Sequence, residues 1–107
     1  MTDITYSQAR TAIMTSINGT IELIEVSTRR DDRRVLLETL TALQRELAAL
    51  DKLDFASRQH QYDALTLRFS NAASGLKKAK EKAEEMAAQI DAAASIIGAF
   101  TTLIGVL

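Results

Sequence analysis

The sequence predicts an all-α fold: an antiparallel helical hairpin or coiled-coil bundle with one long C-terminal helix. Three observations carry this. The 107 residues contain no Pro and only four Gly, against seventeen Ala, a composition that favours helix and starves the chain of turns. Apolar residues recur at alternating spacings of three and four in three separate runs, a period no strand generates. The last of these runs continues for fourteen positions without a slip. The length suits a single domain, residues 1–107, with a hydrophobic fraction of 47%, enough for a core.

The first run is Tyr6, Ala9, Ile13, Ile17, Ile21 and Ile24, and Thr5 with Gln8 three residues later reads as a capping box. Asn18-Gly19 is a turn signal, but the apolar period runs through it, so Gly19 is read as a small residue inside a helix. The second run is Leu36, Leu40, Leu43, Leu47 and Leu50, preceded by Asp31 and Asp32, whose carboxylates favour a helix N-terminus. Together the two runs give a helical arm over about 5–51, straight or bent near 28–33. Asp51-Lys52-Leu53-Asp54 ends it. A turn at about 52–54 follows, with Asp54 or Ser57 as the next N-cap.

The third run is Tyr62, Leu65, Phe69, Ala72, Leu76, Ala79, Ala83, Met86, Ile90, Ala93, Ile97, Phe100, Ile104 and Leu107. A sustained 3.5-residue repeat is a coiled-coil seam, so the expectation is one helix over about 55–105. Ser70-Asn71-Ala72-Ala73-Ser74-Gly75 is poor helix sequence, yet the phase survives it. Folding the hairpin near 52–53 places Leu36 by Phe69, Leu43 by Tyr62, and Ile13 by Ala92 and Ala93.

Function is expected to be non-enzymatic. His60 is the only histidine, with Asp63 three residues on, and there is no cysteine; two groups on one helix do not make a zinc site. The chain has no Glu-x-x-His pair, no Gly-rich phosphate loop and no nucleophile elbow. No catalytic, cofactor-binding or metal-ligating residue is therefore assigned, and no cofactor. Lys77–Glu81 and Lys80–Glu84 read as solvent-face pairs at i,i+4 spacing. The charge is −1 and is spread evenly along the chain, which argues against nucleic acid. Arg29, Arg30, Arg33 and Arg34 surround Asp31 and Asp32 and read as a surface salt-bridge girdle, or else as a contact for phosphate or an acidic partner.

The C-terminal sixteen residues after Asp91 carry no charge. Ile97, Phe100, Ile104 and Leu107 fill the seam; Ile96, Leu103 and Val106 widen it beyond what one opposing helix covers. Those seven residues are the candidate interaction surface, covered by a third helix, a second copy, a partner protein or lipid. For a spanning helix the segment must reach back to Met86 and include Asp91, at about 2.5–3.5 kcal/mol for the charge. The expected partners are the chain itself, as a homo-oligomer, or a helical protein. The alternatives are membrane action through 92–107, or an accessory, immunity or chaperone subunit covering a partner's apolar surface.

Residues Ile90-Asp91-Ala92-Ala93, Ile96-Ile97 and Phe100 resemble the C-terminal end of type III secretion needle subunits, small helical hairpins that polymerise. The Pro-containing turn of that family is missing. The size and hairpin are similar to the Trp-x-Gly secreted hairpins of type VII systems, but this chain has no Trp. These resemblances imply secretion, delivery or assembly. The start Met1-Thr2-Asp3-Ile4 shows no basic stretch followed by an apolar run. The expected location is cytoplasmic, or secreted without a cleavable signal peptide.

Overall fold

Thr5 opens the first helix as the sequence predicts. Its Oγ1 accepts from Gln8 N at 3.2 Å, and its own N–H donates to Gln8 Oε1 at 2.9 Å. In the computed structural model, which describes residues 3–107, α1 then runs over Tyr6–Val26. Met1 and Thr2, the first two residues of the N-terminal segment considered above, lie outside the described residues. The chain leaves the helix at Ser27-Thr28-Arg29 and re-enters it as α2, Arg30–Leu50, with Asp31 and Asp32 in its first turn. The arm expected over 5–51 is thus a hairpin reversing at 27–29, not a bent rod.

After α2 the chain is irregular to Thr66, apart from a 3₁₀ turn at Ser57–Gln59. A single helical turn, α3 (Leu67–Ser70), precedes α4 (Ala73–Glu85). A second 3₁₀ turn at Ala87–Gln89 leads into α5, Ala93–Val106. Three quarters of the described residues are helical. Among them the only bridge pairing is between Thr5 and Gln61, where the connection crosses the start of α1: Tyr6 N donates to His60 O and Tyr62 N to Ile4 O.

The four long helices pack α1 on α2, α2 on α4, α4 on α5 and α5 on α1. Thr39 faces Gly75 and Asp32 faces Lys82, so α4 climbs as α2 descends. Gly19 faces Ile96, so α5 returns along α1. The result is an up-down-up-down four-helix bundle of 42 × 23 × 21 Å.

This corrects the single helix expected over 55–105. The irregular stretch 51–66 moves α4 nine positions along α2: Thr39 meets Gly75, not residue 66. The hairpin register that set Leu36 by Phe69 and Ile13 by Ala92 therefore does not hold. A second reversal lies between Met86 and Ala92, in Ala-rich sequence that by propensity alone would stay helical. Core geometry overrides propensity there. A continuous helix would carry residues 92–107 past the ends of α1 and α2, which at 21 residues each are only about 31 Å long. Folding back buries Phe100 and Leu103 completely, worth about 1.5–3 kcal/mol each.

Against that gain stands one strained residue. Ala92 has φ 54° and ψ 40°, a left-handed conformation costing an L-residue about 1–2 kcal/mol. The burial wins. Ala92→Gly is expected to raise stability by about 0.5–1 kcal/mol, because Gly holds that conformation without strain. Ala94→Gly, in the first turn of α5 and equally exposed, should instead lower it, by less than the about 1 kcal/mol of a helix interior. Equal losses at both positions in chemical denaturation would mean that the helix continues through Ala92.

Candidate functional site

A buried charge is costly unless it is paired or hydrogen-bonded. Glu46, fully buried on the inner side of α2, has four donors. Its Oε2 accepts from Tyr62 Oη at 2.5 Å and Leu65 N at 2.8 Å; its Oε1 accepts from Thr66 N at 2.9 Å and Thr66 Oγ1 at 2.8 Å. Thr66 in turn caps α3. Burial, and then the adjoining Glu46 carboxyl, push the Tyr62 hydroxyl well above the usual phenol range. Tyr62 also meets Tyr6 edge-on, ring centres 5.3 Å apart. Glu46 and Tyr62 tie the irregular connection to the bundle, and their hydrogen-bonding capacity is spent on that.

Asp32 is 8% exposed. Lys82 Nζ lies 2.7 Å from its Oδ2, and Lys78 Nζ 3.9 Å from Oδ1. The Lys82 hydrogen bond, against partial burial, holds the Asp32 carboxyl below its ordinary range, and the same bond holds the Lys82 ammonium above its own. Asp32 clasps α2 to α4. It is therefore not part of a surface girdle with the neighbouring arginines. The α4 lysines Lys78 and Lys82 face Asp32 across the helices, and Lys82 Nζ also lies 3.5 Å from Glu85 Oε2 along its own helix.

The seven C-terminal candidates are divided by the fold. Ile96, Phe100 and Leu103 are core residues, Phe100 and Leu103 with no exposed surface. Ile97, Ile104 and Val106 are half-buried against that core; Leu107 is 37% exposed. This corrects the reading of Ile96, Phe100 and Leu103 as an intermolecular surface. The helix that covers the widened face is α1 of the same chain. Its Gly19 admits Ile96 so closely that an added Cβ would lie 2.5 Å from Ile96 Cγ2. The outward side of α5 presents Ala94, Ser95, Gly98, Thr101 and Gly105.

What stays outside is the far face of α2. Arg30, Arg34, Leu37, Thr41, Arg45 and Ala48 follow one another at three- and four-residue steps and lie on one ridge. Arg33 flanks it, and Lys52 continues it past the helix end. With Asp32 turned inward, the exposed carboxylates of α2 are Asp31 and Glu38. Two open grooves border it, of about 730 Å³ and 640 Å³, and Arg68 from α3 lines both. Arg30, Arg33, Arg34 and Arg68 surround Leu37, which is 49% exposed. Arg45, Lys52 and Arg68 surround Ala48, Leu53 and Leu65. Among the described residues none of these six cations lies within 4.0 Å of a carboxylate.

The sequence named Arg30, Arg33 and Arg34 but did not bring Arg45, Lys52 and Arg68 to them. The outward phase of α2, opposite Leu36, Leu43 and Leu50, could have found Arg45; Arg68 depends on the connection and leaves no sequence signal. His60 is exposed, and the described residues hold no cluster of three or more His, Cys, Asp or Glu placed to bind a metal. No described helix is long and apolar enough to cross a membrane. Scanned against family models, curated proteins and solved structures, the chain finds no match.

Two outcomes check these assignments. The lowered Asp32 carboxyl contributes stability that is present above its unfolded value, near 3.9, and is lost as pH falls through its folded value. Acid unfolding of Asp32→Asn should therefore lack that part of the pH dependence below about 4. Leu103→Asp places an unpaired charge in the core and should cost more than about 3 kcal/mol, whereas Leu37→Asp should stay within about 0.5 kcal/mol of the wild type. Thermal melts of the two variants decide whether Leu103 or Leu37 is the surface residue.

Proposed function

We propose that this chain is a non-enzymatic helical module that works by binding a protein partner on the outer face of α2. The single observation that carries the reading is the row of uncompensated cations around a half-exposed Leu37. Arginine is enriched at the energetic centres of interfaces, where its planar fork binds carboxylates two bonds at a time. The two grooves, one toward each end of the ridge and both lined by Arg68, set accessible apolar residues among charged ones, as such contacts do. The non-enzymatic part of the proposal is supported by how the three most buried ionisable residues are employed: Glu46, Tyr62 and Asp32 are each held by structural partners.

Self-assembly through 96–107 and membrane action through 92–107 both needed the wide apolar face of α5, and that face packs on α1. Secretion or delivery rests on the resemblance over 90–100, a stretch that here spans the reversal at Ala92. An accessory, immunity or chaperone role is a form of the docking proposed and needs no separate site.

Site-specific photo-crosslinking in the cells that make the protein tests this. A photoreactive residue at Leu37 or Thr41 should give a discrete protein adduct, and one at Asn18, on the outer face of α1, should not. Adducts to lipid or nucleic acid from Leu37, equal protein adducts from Asn18, or no adduct at all would overturn the reading.

A further inference from the structure

The outer face of α2 also specifies its occupant. The geometry points to an acidic amphipathic helix of a partner protein, laid along the ridge from Arg30 to Lys52, with two apolar anchors about three turns apart. This rests on the docking reading above and adds the chemistry of the partner.

Length and spacing come from the ridge. From residue 30 to residue 52 it runs about 33 Å, the length of a helix of about 22 residues. Its two apolar places, Leu37 and Ala48, are eleven residues apart, or about 16 Å. An incoming helix alongside would seat apolar side chains at the same interval, one beside Leu37 and one over Ala48, Leu53 and Leu65.

Arg30, Arg33, Arg34, Arg45, Lys52 and Arg68 stand against Asp31 and Glu38 on the exposed side of α2. The rest of the molecule then carries the other seven basic and twelve acidic side chains, so a chain of net charge −1 is polarised, with its positive side at α2. Carboxylates on a partner helix would meet these guanidinium groups at the rim of an apolar contact. That is the arrangement in which charge sets partner choice and association rate.

Two other polyanions fit less well. The groove floors are aliphatic, with no aromatic side chain lining them for bases to stack on, and a long polyphosphate would meet net negative surface beyond the ridge. A bilayer is flat on this scale, whereas Leu53 and Leu65 line a groove beside the ridge, where projecting side chains reach and a headgroup plane does not.

The test uses the full chain and four probes. One peptide of about 22 residues carries two Leu eleven positions apart with Glu on the flanking positions of the same face; a second has Gln for each Glu. The others are single-stranded DNA of about the same length and phosphatidylserine vesicles. At about 50 mM salt the Glu peptide is expected to bind at least tenfold more tightly than the Gln peptide, with most of that difference gone at about 500 mM. The combined variant Arg30→Glu, Arg34→Glu and Arg45→Glu should lose the Glu peptide by at least about tenfold while keeping its melting temperature and solution mass. Equal binding of both peptides, lost in Leu37→Ser, would overturn the acidic partner and leave the docking face standing. Tighter binding of DNA or vesicles would assign the face to another polyanion. A salt-sensitive dimer that excludes the peptide would assign it to a second copy. Binding of none of the probes would also overturn the acidic helix, and the crosslinks from Leu37 would then decide the docking face on their own.

Discussion

The arrangement of this bundle depends on one buried carboxylate. Glu46 sits near the end of α2 with no exposed surface and, among the described residues, no cation within 4.0 Å, and accepts four hydrogen bonds from Tyr62, Leu65 and Thr66. A carboxyl taken out of water is costly unless its oxygens are hydrogen-bonded, and four donors satisfy both oxygens of Glu46. Glu46 fixes where the irregular segment 51–66 crosses the end of the bundle and starts α3 through Thr66. Everything downstream inherits that position. Gly75 lands on Thr39, where an added Cβ would lie 2.4 Å from Oγ1, and Lys82 lands on Asp32.

The same dependence explains what could be read from the sequence and what could not. The all-α class, the Thr5 capping box, the acidic start of α2 and helix through Gly19 are local matters, and local residues state them. The long C-terminal helix is a different kind of inference. Spacing of three and four records which residues turn toward a core, not whether the chain keeps its direction. Met86 and Ile90 are half-buried while lying in or beside a turn, so the pattern passes smoothly through a reversal. Within α5 the buried line is Ile96, Ala99, Phe100 and Leu103, close to one position off the seam. The helix is rotated because it meets α1 as well as α4.

The width of the C-terminal apolar face was the legible warning. Ile96, Leu103 and Val106 asked for more cover than one helix offers, and a third helix of the same chain answers that need. Small residues make it possible: Gly19, Ser16 and Thr20 are all buried in α1, while Ile21, on the sequence seam, is 39% exposed. Glu46 left a fainter trace. It lies three residues after Leu43 and four before Leu50, on the inward stripe of α2, and a glutamate in that phase needs donors. Nothing in the sequence says that Tyr62 and Thr66 supply them.

A four-helix bundle has four outward faces, and their chemistry differs sharply here. That of α1 is largely uncharged, with Thr11, Met14, Asn18 and Ile21 along it. That of α5 is small and polar. That of α4 interleaves Lys77, Lys78 and Lys80 with Glu81, Glu84 and Glu85, so its field largely cancels. Among these faces only that of α2 gathers like charges beside accessible apolar surface, helped by the inner face of that helix, which draws Asp32 away to Lys82. The packing that stabilises the core thus removes one of the two carboxylates among the arginines and leaves Asp31 outside. Core and surface are two consequences of the same choice of rotation for α2, which turns Leu36, Leu43 and Glu46 inward and leaves Arg30, Leu37 and Arg45 to the outside.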